Sequence, residues 1–114
     1  MKTLEMIGPD NWREFLAAPV AVLMLGKSTC DACTQWSGEL SEYLAGENLE
    51  FSDVRFGKLL LDQRGLIDFK KENPWIAEIT ALPFTIIFRS GEKVKEFAGG
   101  GIDRLTNRLE RVLA

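Results

Sequence analysis

Cys30 and Cys33 are the residues of this sequence whose type and spacing could do chemistry, since they form a Cys-x-x-Cys pair. Such a pair can bind a metal ion, staple the fold or exchange electrons as dithiol and disulfide. The chain has 2 cysteines and 0 histidines. Because structural zinc sites normally use four Cys or His ligands, we expect no metal site within one chain. A site shared by two chains, or one completed by the Asp31 carboxylate, stays open at this point.

A purely structural disulfide also suits the pair poorly. Closing so short a loop removes little entropy from the unfolded chain. The remaining explanations are a reacting pair and two inert cysteines that serve as small core residues, because free cysteine is commonly buried.

The residues after the pair predict a helix, because Cys33, Trp36 and Leu40 recur at the spacing of one helical face. That face turns the Cys33 sulfur and the Trp36 side chain toward the core and places Cys30 in the first turn. Unpaired backbone N–H groups and the macrodipole favour a thiolate there. We therefore predict Cys30 as the nucleophile and Cys33 as the resolving thiol, which attacks a mixed disulfide at Cys30.

Strands and helices are predicted to alternate around the pair. The run 20–25 is apolar throughout and bounded by Pro19 and Gly26, which is typical of a strand buried on both faces at the centre of a sheet. Further strands are predicted at 3–7 and 58–61 and in a hairpin over 84–97, and helices at 11–17, from the cysteine pair onward, at 65–72 and at 102–112. This order predicts an α/β fold, a central mixed sheet flanked by helices on both faces, in a single domain over residues 1–114.

Composition and charge restrict the classes of binding partner to be expected. The net charge is −3 with both signs interspersed, so neither nucleic acid nor a membrane surface is an expected partner. Residues 1–10 lack the apolar core of a signal peptide, and the run 19–26 is far shorter than the roughly 20 residues that span a bilayer. We therefore expect a cytoplasmic protein, with an exported form that has lost its signal as the alternative, and we expect a monomer.

Motifs along most of the chain resemble those of the thioredoxin family. They are Cys30-Asp31-Ala32-Cys33 opening a helix, Lys58-Leu59-Leu60-Leu61-Asp62-Gln63 in a central strand, Leu82-Pro83 before another strand, and Gly99 before the last helix. The resemblance implies a thioredoxin-like fold in which Pro83 is cis and faces the cysteines, while the Leu82 backbone binds a substrate segment. The implied substrate groove consists of Thr29, Asp31, Ala32, Leu82, Pro83 and Gly99.

The function implied by the resemblance is that of an enzyme, a thiol-disulfide oxidoreductase that reduces protein disulfides. It requires no cofactor beyond the Cys30–Cys33 disulfide itself. Its implied partners are protein disulfide substrates and a thioredoxin-reductase-like electron donor.

The departures from the family concern the chemistry. Thioredoxins usually have Trp-Cys-Gly-Pro-Cys, whereas Thr29 and the pair Asp31-Ala32 stand here, and Met24 occupies the position of a buried aspartate. Lys58 matches a family lysine and could reach toward the site as a modulator. The segment between Asp62 and Pro83 is longer than usual.

The direction of the reaction depends partly on Asp31. A carboxylate beside Cys30 opposes thiolate formation and would make the dithiol a reductant, unless Asp31 points into water and is screened. Two alternatives remain open. One is a thioredoxin-fold module that binds a partner or senses redox state with little turnover, and the other is an exported disulfide oxidase or isomerase.

Overall fold

A five-stranded mixed sheet organises the chain in the computed structural model, which describes residues 2–46 and 50–114. The strand order is β1-β3-β2-β4-β5. Strand β3 pairs in parallel with β1 and β2, whereas β4 pairs antiparallel with β2 and β5. The strands are β1 (Glu5–Ile7), β2 (Val20–Gly26), β3 (Arg55–Leu60), β4 (Phe84–Arg89) and β5 (Glu92–Ala98).

Helices cover both faces of this sheet, as the sequence predicted. Helices α2 and α4 pack on one face through the apolar side chains that recur along them, and α1 and α3 pack on the other. The helices are α1 (Trp12–Leu16), α2 (Asp31–Ala45), α3 (Ile67–Glu72) and α4 (Ile102–Leu113), with a short 3-10 helix at Pro74–Glu78.

Strand β2 is the centre of the sheet and is buried along its whole length. Its alternate side chains enter opposite halves of the core. Val22 and Met24 join the cluster under α2 and α4, whereas Leu23 and Leu25 join the cluster under α1 and α3. The prediction of a central strand buried on both faces is therefore confirmed, because strand side chains alternate between the two faces.

Some element boundaries differ from the prediction. Strand β3 begins at Arg55 rather than at residue 58, because its polar first residue is held by pairing that the apolar pattern does not reveal. Arg55 pairs with Ala21 of β2, and its Nε donates a 2.9 Å hydrogen bond to Glu5 of β1. Helix α3 begins at Ile67 rather than near residue 65, because Gly65 has a φ of 85°, outside the helical region.

The segment that connects β3 to β4 packs against the α1/α3 half of the core. Helix α3 ends before Pro74, which starts the 3-10 helix at a position where its missing N–H is not needed. Trp75 and Ile76 are half-buried against the α1/α3 half of the core, as predicted. The terminal hairpin is also confirmed, with Ser90 and Gly91 at the turn, both with positive φ.

Candidate functional site

The cysteine pair lies where β2 passes into α2. Cys30 is the N-cap of α2, one position before the first turn in which the sequence placed it, and Cys33 lies on the helix. The two are joined by a disulfide with a Cα–Cα distance of 5.2 Å. The Cys33 backbone N–H donates to Cys30 Sγ at 3.1 Å, so this sulfur takes the place of the usual capping oxygen.

The two sulfurs are not equally accessible, as the helical pattern predicted. Cys33 is only 1% exposed and belongs to the α2/α4 half of the core. Cys30 is half-buried and lies at that cluster's edge. When the disulfide is reduced, the N–H groups at the start of α2 favour a thiolate on Cys30, which an incoming sulfur can reach.

Leu82, Pro83 and Gly99 lie beside the pair although they are distant in sequence. The Leu82–Pro83 peptide bond is cis, and the Leu82 carbonyl oxygen is 4.0 Å from Cys30 Sγ. The Gly99 N–H donates to the Pro83 carbonyl at 2.7 Å, and its φ of 82° favours glycine at this position. The structure therefore brings these three residues together around Cys30.

A shallow groove runs along one side of the pair. It contains Ala32, Pro83 and Gly99 of the predicted groove residues, but not Thr29, Asp31 or Leu82. Thr29 and Asp31 are exposed, and Leu82 is half-buried and lines a different cavity. The full lining is Ala32, Gln35, Trp36, Glu39, Pro83, Gly99 and Gly100.

A buried hydrogen-bond chain supports this groove from below. Trp36 Nε1–H donates to Thr85 Oγ1 at 3.1 Å, and the Thr85 hydroxyl donates to the Gly99 carbonyl at 3.0 Å. Thr85 is fully buried. Trp36 is a core residue, as predicted, but its second role was missed, and so was Thr85. The available signal was the indole N–H, which needs an acceptor when it is buried.

Met24 and Lys58 are neighbours across β2 and β3, where they form a register pair. Met24 is fully buried in the same cluster as Cys33. The Lys58 ammonium donates to Ser37 Oγ on α2 at 3.1 Å. Lys58 thus reaches the helix that carries the cysteines, as predicted, but it donates its hydrogen bond to the Ser37 hydroxyl and not to a sulfur.

Asp62 anchors the loop that leads to Cys30. Its carboxylate accepts hydrogen bonds from the Ser28 backbone N–H, at 3.2 Å, and from the Ser28 hydroxyl. These bonds, with the nearby charge of Lys27, hold the pKa of Asp62 below its usual value. The family match at Asp62 therefore corresponds to a contact that positions the loop.

Within 2–46 and 50–114, no group of three or more His, Cys, Asp and Glu side chains is arranged to bind a metal ion. Over the same ranges, no helix is both long enough and apolar enough to cross a membrane.

Comparison with known proteins identifies the fold. The structure is similar to spinach chloroplast thioredoxin f (TM-score 0.75, 20% identity, covering 98% of this chain and 95% of that one). It is also similar to oxidised thioredoxin from Plasmodium falciparum (TM-score 0.74, 13% identity, covering 98% and 100%). A third similar chain comes from a ferredoxin:thioredoxin reductase and thioredoxin f2 complex (TM-score 0.76, 19% identity, covering 98% and 96%).

Sequence comparisons give no match to a protein-family profile and no significant match to a curated protein. The structural similarity therefore carries the assignment. The chain has the thioredoxin fold, with a thioredoxin-like Cys-x-x-Cys pair at the start of α2.

Proposed function

We propose that this thioredoxin-fold chain is a thiol-disulfide oxidoreductase that reduces protein disulfides through Cys30 and Cys33. The observation that carries the proposal is the unequal pair. Cys30 caps α2 with its sulfur 4.0 Å from the Leu82 carbonyl, whereas Cys33 is buried beneath it. This difference supports the proposal, because an incoming substrate sulfur can reach the half-buried Cys30 more easily than the buried Cys33.

The reaction is two successive thiol-disulfide exchanges. The Cys30 thiolate attacks one sulfur of the substrate disulfide, forms a mixed disulfide and expels the other substrate sulfur as a thiolate, which takes up a proton. Cys33 then loses its proton and attacks Cys30 Sγ. This step forms the Cys30–Cys33 disulfide and releases the second substrate thiolate, so two electrons pass from the dithiol to the substrate.

The substrate segment would bind along the groove beside Cys30. In the described structure the backbone around Leu82 faces Cys30 Sγ, so a segment lying across it could form main-chain hydrogen bonds. Pro83, Ala32 and Gly99 would form one side of the binding surface, and Thr29 and Asp31 would contact the substrate from the exposed rim.

Recharging requires an external electron donor, for which we propose a thioredoxin-reductase-like protein. One structural neighbour comes from a ferredoxin:thioredoxin reductase and thioredoxin f2 complex, which supports this kind of partner. The chain has 0 histidines, so a frequent thiolate-stabilising partner of strongly oxidising pairs is missing. We propose a reductant that acts in the cytoplasm as a monomer, with no cofactor beyond its own disulfide.

The reduction potential of the pair, measured by equilibrium with defined thiol buffers, is the first test. A value near about −230 to −270 mV supports a reductant. A value near about −120 to −180 mV contradicts it and favours the exported oxidase or isomerase. Reduction of insulin provides the turnover assay. Cys30→Ser should abolish it, and Cys33→Ser should stop after the first exchange and accumulate the mixed disulfide.

A binding module with little turnover is the second candidate. Met24 favours it, because a fully buried thioether beside Cys33 cannot accept the proton that Cys33 must lose. Such a module would retain partner binding in the Cys30→Ser variant and show no Cys30-dependent reduction of insulin. The same pair of assays therefore separates the two functions.

A further inference from the structure

A second cavity, which we call the lysine pocket, is lined by Leu61, Ile76 and Ile79 of the α1/α3 half of the core, whereas the groove is lined by Trp36 of the α2/α4 half. The lysine pocket has a volume of about 430 Å³. It is formed by the loop before α2, the end of β3 and the segment that connects β3 to β4. The lining residues are Lys27, Leu61, Asp62, Lys70, Ile76, Ile79, Thr80 and Leu82.

Two residues that line the lysine pocket, Lys27 and Leu82, contact Cys30. The Lys27 carbonyl accepts a hydrogen bond from the Cys30 N–H at 3.2 Å, and the Leu82 carbonyl is 4.0 Å from Cys30 Sγ. A peptide that crosses Leu82 to bring its sulfur to Cys30 therefore passes the mouth of this pocket. The side chains that flank the substrate cysteine are the groups that can enter it.

The charges of the lysine pocket favour an anion. Lys27 and Lys70 are exposed, and within residues 2–46 and 50–114 neither lies within ion-pair distance of a carboxylate. Lys70 Nζ donates to the Leu61 carbonyl at 3.3 Å, which orients the ammonium across the cavity wall. Asp62 is the acidic lining residue; its carboxylate accepts hydrogen bonds from Ser28 and lies near Lys27, so the charged lining groups are two ammonium groups and one carboxylate.

The groove lined by Ala32, Pro83 and Gly99 differs from the lysine pocket in charge. Among the residues that the structure describes, its charged lining residue is Glu39 and its lining includes no cationic side chain. The chain as a whole carries a net charge of −3. The two cavities thus differ in the charge of their lining, and the lysine pocket is formed in part by the long connecting segment that carries Lys70, Ile76 and Ile79.

We propose that the lysine pocket binds an acidic side chain of the protein segment that flanks the substrate disulfide. The carboxylate would lie between Lys27 and Lys70, and its methylene groups would contact Ile76, Ile79 and Leu82. The attraction would be local, because the chain as a whole carries a net charge of −3. The proposal rests on the proposed function and names the substrate class that this site prefers.

The test compares two disulfide peptides that differ in one position beside the cysteine, Glu in one and Gln in the other. Prereduced protein is mixed with each peptide, and the second-order rate constant of the first exchange is measured. We expect the wild type to react about two- to fivefold faster with the Glu peptide, as exposed ion pairs allow. This preference should fall as the salt concentration rises, because salt screens exposed charges.

Charge variants identify the pocket as the source of the preference. In the Lys27→Gln/Lys70→Gln variant the rate ratio should fall to one, and in the Lys27→Glu/Lys70→Glu variant a peptide with Lys in place of Glu should react faster. Lys71→Gln is the matched control, because Lys71 is the exposed neighbour of Lys70 on α3 but does not line the pocket. It should leave the ratio unchanged. Thermal unfolding verifies that each variant is folded.

Failure of the preference and failure of the proposed function give different results. Equal rates with both peptides in the wild type, or a preference that survives in the double variant, would overturn the lysine pocket while leaving the reductase intact. If wild-type protein reduces neither peptide, the reductase proposal fails. The pocket is then judged by chemical-shift changes at Lys70 and Thr80 on addition of cysteine-free Glu and Gln peptides, where equal changes would overturn it.

Discussion

Met24 Cε and Cys33 Sγ lie on the same side of Gly26, each within 3.5 Å of the point that a Gly26 Cβ would occupy. A thioether methyl group therefore lies near the resolving sulfur, at the position where the resemblance to thioredoxins implies a carboxylate. This arrangement affects the chemistry of Cys33 and not the packing of the core. Met24 packs well in the core but supplies no proton acceptor to Cys33.

Restoring a carboxylate at this position should accelerate resolution and destabilise the fold. We expect Met24→Asp to lower the free energy of unfolding by about 3 to 5 kcal/mol at pH 8. Burial raises the pKa of the new carboxyl above its unfolded-state value. The part of the stability loss that comes from burying the charge is therefore absent below about pH 4. It grows as the pH rises through the folded-state pKa. Urea denaturation at several pH values measures it.

Met24→Asn is the matched control, since it has the same shape without an ionisable group. Its stability loss should not depend on pH in this range. Stopped-flow decay of the mixed disulfide should be faster in Met24→Asp than in Met24→Asn at pH 7. Equal decay rates would show that Cys33 does not need a proton acceptor at this position.

Thr85→Val should weaken the chain of hydrogen bonds that supports the groove. The substitution keeps the side-chain shape but leaves the buried Trp36 N–H and the Gly99 carbonyl without their partner. We expect a loss of about 1 to 3 kcal/mol in urea denaturation, together with a raised KM for peptide disulfides. Thr106→Val, whose hydroxyl bonds a carbonyl of its own helix, should change stability by less than about 0.5 kcal/mol. Equal losses in both variants would contradict the supporting role.

Two glycine-to-alanine substitutions should change the free energy of unfolding in opposite directions. A Cβ on Gly100 would lie 2.7 Å from Trp36 Cγ, so Gly100→Ala forces the indole or the loop to move and should cost about 1 to 3 kcal/mol. A Cβ on Gly38, within α2, meets no atom within 4 Å, counting the described residues. Gly38→Ala should therefore stabilise the protein by about 0.5 to 1 kcal/mol. Thermal unfolding of both variants tests the pair, and a destabilised Gly38→Ala would be the unexpected result.

Asp62→Asn should change how the free energy of unfolding depends on pH in the acid range. The Ser28 hydrogen bonds hold the pKa of Asp62 below its usual value. Because the folded-state pKa is lowered, the charged carboxylate stabilises the fold at pH values above its unfolded-state pKa of about 4. This stabilisation is lost as the pH falls through the folded-state pKa. The wild type should thus exceed Asp62→Asn in stability at pH 7 and match it in strong acid.

The Asp62 effect should be modest and sensitive to salt, because the side chain is exposed. Denaturation curves at pH 7 and in strong acid measure it. Asp53→Asn, which alters another exposed carboxylate, is the control and should show a smaller difference. A constant gap between the wild type and Asp62→Asn at all pH values would contradict the linkage.

Local patterns predicted the main elements well. The doubly buried β2, the helix that begins at the cysteines and the hairpin around Ser90-Gly91 were each found where the sequence indicated. Each depends on neighbours within a few residues, through apolar periodicity, helix capping or turn geometry. The start of β3 was missed because Arg55 is held by partners on other strands, which no local pattern records.

The sequence by itself determined where the two thiols stand and which of them is buried, because a Cys-x-x-Cys pair at a helix start places its second sulfur on the apolar face. Only the tertiary structure decided what surrounds them. In it, Thr85 forms hydrogen bonds with both Trp36 and Gly99. Lys58 donates a hydrogen bond to Ser37, and Lys27 and Lys70 line one cavity. These contacts join residues far apart in sequence, and they arise only when the strands pair and the long connecting segment packs beside them.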